Sequence, residues 1–162
     1  MKPEIEKLYD KYGSQMYTCA LSIVGCPQLA EDAIHEAFCK GLRIRKVPRN
    51  PKAYFFKSVR NAAIDILRKR RRVSPLPAEH DYIFTDCSDP GNIAEINQLK
   101  RQTVSSLMSL SEDERETVIQ HVYADLTFIE IAEIREKPLG TVTSWYRRGI
   151  EKMRKSMRYE NE

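Results

Sequence analysis

Between Val73 and Asn97 the chain carries no lysine or arginine, five acidic residues, and the helix breakers Pro75, Pro77, Pro90 and Gly91. The stretch shows no sustained period of two or of about 3.6, so it supports neither a half-buried strand nor an amphipathic helix. A structureless segment of this length is uncommon inside one compact domain. It therefore divides the 162 residues into two small modules, each with room for a few elements around one modest core. Charge follows the same division. Met1 to Arg72 holds 16 Lys and Arg against 7 Asp and Glu, whereas Gln98 to Glu162 holds 11 of each. A basic module on an acidic tether suits a polyanionic partner, the alternative being a merely solvated basic face.

Helix signals fill the first module. Ile5 to Ile23 is amphipathic, and Pro27 opens a second helix from its N1 position, with an apolar stripe of Leu29, Ala33, Ala37 and Phe38. Pro48 then breaks the pattern, and Asn50 with Pro51 forms an N-cap and N1 pair that starts a third helix running to about Arg72. On this helix Phe56, Val59, Ala63 and Ile66 share a packing face, while Lys57, Arg60, Asn61, Ile64 and Arg68 gather on a mostly basic one. Tyr54 and Phe55 lie beside the basic loop Arg43 to Lys52. Rings near cations can stack unpaired bases while phosphates are held, and the same two rings would equally suit a core.

The second module opens near Asp89 and Pro90, a further cap pair, and continues as a helix to Leu110. Two capping boxes follow, Ser111 with Glu114 and Thr127 with Glu130, each pairing a hydroxyl and a carboxylate three residues apart. Thr127 to Arg135, a turn at Glu136 to Pro138 and a helix from Leu139 make a helix-turn-helix pattern, whose second helix enters a DNA major groove. Val142, Tyr146, Ile150, Met153 and Met157 point inward. Thr141, Ser144, Arg148 and Lys152 face outward, with Thr143 and Arg147 beside them. Arginine reaches guanine bidentately, threonine methyls touch thymine, and hydroxyls or lysines hold phosphate. Trp145 either packs on the neighbouring helix or lies against sugars and base edges.

Several classes of function find no support. Cys19, Cys26, Cys39 and Cys87 form no C-x-x-C pair, and His35 with Cys39 supplies only two ligands on one helical face, where packing is expected instead. No paired carboxylates, nucleophile triad or glycine-rich phosphate loop appears, so neither an enzyme nor a cofactor is expected. The charged amino terminus resembles no signal peptide, and no apolar run approaches the roughly 18 residues of a membrane span. A cytoplasmic protein without membrane insertion is expected.

LYDKYG, LAEDAIHEAF and PKAYFFKSVRNAAIDILRKRRR, followed by LSEDERETVIQHVYADLTFIEIAEI and GTVTSWYRRGIEKMRK, occur in an order that resembles one family. The chain is similar to the compact bacterial sigma factors of the extracytoplasmic-function group, which carry conserved regions 2 and 4. The resemblance implies an all-α fold of two small helical domains: region 2 over residues 1–72, a flexible acidic linker over 73–97, and region 4 over 98–162. It implies a promoter-specificity subunit that binds core RNA polymerase, recognises the minus 35 and minus 10 elements and assists promoter opening, without catalysis of its own. Asp32, Glu36 and Phe38 would meet the polymerase. Arg43, Arg45, Lys46, Arg49, Asn50, Lys52, Tyr54, Lys57, Arg60 and Asn61 would hold the minus 10 element, partly as melted strand. Thr141, Thr143, Ser144, Trp145, Arg147, Arg148 and Lys152 would read the minus 35 duplex. An anti-sigma factor would be a further partner, and the tether acids Glu79, Asp81, Asp86 and Asp89 would mimic nucleic acid in the polymerase channel.

The chain departs from the family pattern at Glu136 and Pro138, where a glycine turn and a serine cap are usual, and at Thr143 and Trp145, where basic residues are common. His35 stands for a frequent glutamine and Cys26 for an aspartate cap. Two rival classes stand beside this reading: a stand-alone helix-turn-helix regulator of transcription, and a module whose basic helix binds RNA or an acidic protein.

Overall fold

The computed structural model describes residues 2–73 and 94–159. Among them are seven α-helices and no strand, in two compact units. Most of the acidic connector, the Asp89–Pro90 cap, the four tether acids and Cys87 lie outside the described residues.

The first unit is a bundle of α1 (Lys2–Val24), α2 (Pro27–Gly41) and α3 (Pro51–Val73), each packed on the other two. Gly25 ends α1 at φ 68°, its N–H donating to the Leu21 carbonyl at 2.9 Å. Glycine adopts this left-handed cap without a Cβ penalty. Pro27 then opens α2 behind Cys26, which caps with no side-chain hydrogen bond. Asn50 caps α3 as expected, its Oδ1 accepting from Ala53 N at 3.2 Å.

Small residues decide how α2 meets α3. Ala30, Ala33, Ala37 and Gly41 recur at helical spacing along α2 and are buried. A Cβ on Gly41 would stand 2.5 Å from two ring carbons of Phe55, so only glycine leaves space for that ring. Phe55 stacks on Phe38 with centroids 4.7 Å apart, and Tyr9 meets Phe38 edge-on at 5.2 Å. Phe55, Phe56, Val59, Ala62 and Ala63 of α3 close over Met16, Cys19 and Ala20 of α1 to complete the core. Burial of each large apolar side chain contributes about 1.5–3 kcal/mol.

After the connector come α4 (Ala94–Met108), α5 (Glu112–Val118), α6 (Phe128–Arg135) and α7 (Leu139–Tyr159). Both capping boxes form. Glu114 N donates to Ser111 Oγ at 3.3 Å while Ser111 N donates to the Glu114 carboxylate, and Thr127 and Glu130 repeat the exchange at the start of α6.

The α-helix capped by Ser111 ends at Val118. After Val118 the backbone widens into a π turn over Ile119–Tyr123, closed by Ala124 N donating to Ile119 O at 3.1 Å. The wider turn keeps Ile119 and Gln120 buried and turns Val122 and Tyr123 to the surface. His121 anchors it. Its Nδ1 lies 2.8 Å from the Leu126 carbonyl, which can only accept, so Nδ1 carries the proton. The imidazole also stacks on Phe128 at 4.2 Å and meets Tyr146 edge-on at 4.8 Å, joining the turn to α6 and α7.

On α7, Val142 is buried and Tyr146, Ile150, Met153 and Met157 are half-buried, the expected inward stripe. Gly149 joins them unexpectedly. A Cβ there would come within 2.9 Å of Val118 Cγ2, so glycine lets α5 and α7 approach closely. Ser106 of α4 bonds Ser156 of α7, hydroxyl to hydroxyl, at 3.1 Å.

Candidate nucleic-acid interface

In the first unit the loop between α2 and α3 begins tightly. Arg43 N donates to Lys40 O at 3.0 Å and Ile44 N to Gly41 O at 3.3 Å. Arg43, Arg45, Lys46 and Arg49 all project into solvent from this loop, a cluster of guanidinium and ammonium groups suited to phosphates. Asn50 caps α3, its side-chain carbonyl oxygen accepting from Ala53 N.

The two adjacent rings separate. Phe55 is 1% exposed and is core, whereas Tyr54 is half-buried and meets Phe55 edge-on at 5.4 Å. Of the pair, only Tyr54 keeps part of its ring at the surface. Behind it along α3, Lys57 and Arg60 are half-buried and Asn61 is exposed, followed by the exposed run Arg68 to Arg72.

The structure adds a residue that the sequence analysis did not single out. Tyr12 of α1 has Lys11 Nζ and Lys52 Nζ each 5.2 Å from its ring centroid, and meets Phe56 edge-on at 6.3 Å. The signal was present as Lys7 and Lys11, four apart on α1, beside a tyrosine. The same aromatic-and-cation rule that drew attention to Tyr54 applies there.

The residues of α2 expected to meet the polymerase divide in a similar way. Asp32 is exposed and the Glu36 side chain is 39% exposed, one turn apart. Glu36 bonds Lys40 at 2.5 Å, and this hydrogen bond, then the carboxylate charge, holds the Lys40 ammonium above its ordinary 10.5. Phe38 sits elsewhere. It lies about 200° around the helix from Glu36, and its ring packs between Tyr9 and Phe55 instead of joining the acidic face. His35 is exposed and not packed, with Nε2 3.6 Å from the half-buried Cys39 Sγ. No group of three or more potential metal ligands occurs among the described residues, and no helix among them is long and apolar enough to cross a membrane.

In the second unit the helix-turn-helix forms without the usual glycine. Lys137 N donates to Ala132 O at 3.1 Å and Glu136 N to Glu133 O at 3.3 Å, the paired bonds of a Schellman cap on α6. Glu136 takes the left-handed position at φ 53°. A residue with a Cβ holds that conformation at a cost on the order of 1–3 kcal/mol. Pro138 stands at the N-cap of α7 and caps through its backbone alone, its carbonyl accepting from Thr141 N at 3.0 Å and Val142 N at 3.2 Å.

Along the first two turns of α7, Thr141, Thr143, Ser144 and Trp145 are half-buried, and Arg147 and Arg148 are exposed. Thr143 Oγ1 donates to Gly140 O at 3.1 Å. Arg148 Nε reaches Ser144 O at 3.4 Å, leaving the terminal guanidinium nitrogens beyond this contact. Trp145 also makes contacts within the protein.

Lys152 is exposed on α7 and is also engaged within the protein. Its ammonium is bound to both carboxylate oxygens of the buried Glu114, at 2.8 and 3.0 Å, so its charge serves the packing of α7 on α5. Burial is the largest single influence on Glu114 and disfavours its charge. The Lys152 hydrogen bond, the Ser111 N–H and the charges of Lys152 and Arg148 together outweigh it and hold the carboxyl below its ordinary 4.5.

Both units have counterparts among known proteins. Residues 8–73 match the family model for Sigma-70 region 2, and residues 100–153 match that for Sigma-70, region 4. The chain is 26% identical over 163 residues to the ECF RNA polymerase sigma factor SigW of Bacillus subtilis, spanning 93% of this chain and 87% of that protein. It is 25% identical over 156 residues to the ECF RNA polymerase sigma factor SigE of Mycolicibacterium smegmatis, spanning 94% of this chain and 61% of the relative. Among solved structures, the sigma factor RpoE of Bartonella quintana, crystallised with the anti-sigma factor NepR, superposes with a TM-score of 0.70 at 21% identity, over 97% of this chain and 96% of that one. CnrH in complex with the cytosolic domain of CnrY gives 0.68 at 15% identity, over 98% and 90%. These last two likenesses concern the fold alone. With both regions matched in order, the chain belongs to the extracytoplasmic-function group of sigma-70-family RNA polymerase sigma factors.

Proposed function

We propose that the chain is a promoter-specificity subunit that binds core RNA polymerase in the cytoplasm, recognises two promoter elements and helps open the duplex, while the polymerase performs the chemistry. One observation carries the reading: a single chain matches region 2 and region 4 in order, with a basic loop and a ring on the first and a helix-turn-helix on the second. A stand-alone regulator would account for the second unit only.

In this reading residues 1–72 act as region 2, 73–97 as an acidic connector and 98–162 as region 4. Asp32 and Glu36 meet the polymerase from the exposed face of α2. Arg43, Arg45, Lys46, Arg49 and Lys52 hold phosphates of the melted minus 10 strand, Tyr54 stacks an unpaired base, and Lys57, Arg60 and Asn61 follow the DNA along α3. Stacking of about 1–3 kcal/mol per base is comparable with the few kcal/mol that extruding a base costs. Thr141, Thr143, Ser144, Trp145, Arg147 and Arg148 face the minus 35 duplex. The solved complex of RpoE with NepR supports an anti-sigma partner for this chain as well.

Run-off transcription from fragmented source-genome DNA, with core polymerase alone and with the protein added, tests the reading. Discrete new starts sharing two spaced upstream elements are expected. Stable core binding without new starts would reduce the chain to a polymerase-binding regulator, and absence of core binding would overturn the reading.

A further inference from the structure

On α2, His35 and Cys39 stand one turn apart, with His35 Nε2 3.6 Å from Cys39 Sγ. The helix packing expected of the pair does not occur at His35, which is exposed, and Cys39 is half-buried beside it. We propose that the two side chains are half of a zinc site, completed by His35 and Cys39 of a second copy of this chain, so that one ion joins two chains across α2.

The spacing fits the ion. Zinc binds thiolate sulfur at about 2.3 Å and imidazole nitrogen at about 2.0–2.1 Å in a tetrahedron, which sets two such donors about 3.6 Å apart. Nε2 and Sγ already stand at that separation. One chain supplies no more than these two donors: no group of three or more potential ligands occurs among the described residues, and the Glu36 carboxylate is held by Lys40 at 2.5 Å. A closed zinc site takes four ligands, and a two-fold axis supplies the same pair again. Each Cys39 thiol gives its proton to solvent on binding, and the two thiolates then balance the charge of the ion.

Charge along the helix suits a second copy. Antiparallel pairing of two α2 helices about Ala37, midway between the donors, brings Glu31 of one copy level with Arg43 of the other, at both ends of the contact. Both residues are exposed. The same pairing covers Asp32 and Glu36, so zinc withdraws the chain from core polymerase. That consequence rests on the reading of this face as the polymerase contact; the site itself does not.

Sedimentation velocity of the full chain, with zinc ion alone as the probe and a phosphine reductant to exclude disulfides, tests the site. A monomer should become a dimer at one zinc per two chains and return to monomer with EDTA. Cobalt(II) in place of zinc should show thiolate charge-transfer absorption. His35→Gln, at an exposed position, and Cys39→Ala should each abolish the zinc-dependent dimer, whereas Cys26→Ala combined with Cys87→Ala should leave it intact. One zinc per chain without dimerisation, a dimer that persists in His35→Gln, or no response to zinc would each overturn the site. In a parallel assay zinc should block association of the unaltered chain with core polymerase and leave that of His35→Gln unchanged. If the dimer forms and core binding persists, the masking of the polymerase contact is overturned and the site stands. If the zinc-free chain binds no core polymerase, the functional reading falls, and sedimentation still decides the site.

Discussion

Lys152 on α7 closes on both carboxylate oxygens of Glu114, so a cation that the helical periodicity directs outward is bound by an acid at the start of α5. Glu114 is 4% exposed and also accepts from Ser111 N, which makes it at once a cap and a buried charge. The lysine is half-exposed, so the pair is worth less than a fully enclosed one.

Lys152→Met should therefore destabilise region 4 by about 1–3 kcal/mol at neutral pH, the cost of an unsatisfied buried acceptor. Because the folded carboxyl is held below its ordinary 4.5, its contribution is present above that value and is lost as pH falls through the lower folded one. The difference between wild type and variant, followed by thermal unfolding, should narrow below about pH 4.5. A gap that stays constant on acidification would show that the charge pair with Glu114 is not its source.

Gly41→Ala should destabilise region 2 even though alanine is the better helix former by about 1 kcal/mol. The added methyl meets the Phe55 ring at 2.5 Å, and overpacking of this kind costs about 1–3 kcal/mol. Calorimetry of the full chain should show the region 2 transition shifted down and the region 4 transition unmoved. Combining the change with Phe55→Leu should cost less than the sum of the two single changes.

At the helix-turn-helix turn, two variants of Glu136 separate strain from side-chain chemistry. Glu136→Gly relieves the left-handed backbone and Glu136→Val worsens it with a β-branched side chain. Both lose the carboxylate. The glycine variant should be the more stable by about 1–3 kcal/mol, and equal melting temperatures would mean that the turn relaxes out of the left-handed region.

Arg148→Ala should weaken binding to a promoter duplex by about 1–3 kcal/mol and leave a scrambled duplex nearly unaffected, if its guanidinium reads guanine. An equal loss on both duplexes would make Arg148 a phosphate contact and move base reading to Thr141, Thr143 and Ser144.

Local chemistry carried much of the fold into view. Asn50 with Pro51, Ser111 with Glu114 and Thr127 with Glu130 mark helix starts through bonds that span only three residues, so they are readable without any partner. The inward stripe of α7 followed from periodicity in the same way. The candidate site was less legible. Tyr54 and Phe55 are neighbours in sequence, and only the rotational setting of α3 against α2 sends Phe55 into the core and leaves Tyr54 half-exposed. Phe38 joined Asp32 and Glu36 through the family resemblance, and periodicity alone did not show that its half-buried ring packs against Tyr9 and Phe55.

By itself the sequence determined the helical class, the division at the acidic connector, the helix starts and the two surfaces rich in cations and polar groups. These depend on spacing along one chain segment, where hydrogen bonds and side-chain periodicity operate within a turn or two. Tertiary structure alone decided which aromatic faces outward, that Lys152 answers Glu114, that His121 draws α5 into a π turn against Phe128 and Tyr146, and that Tyr12 stands between Lys11 and Lys52. Each of these is a contact between segments distant in sequence or a change in helical phase. No local pattern specifies it until the helices pack.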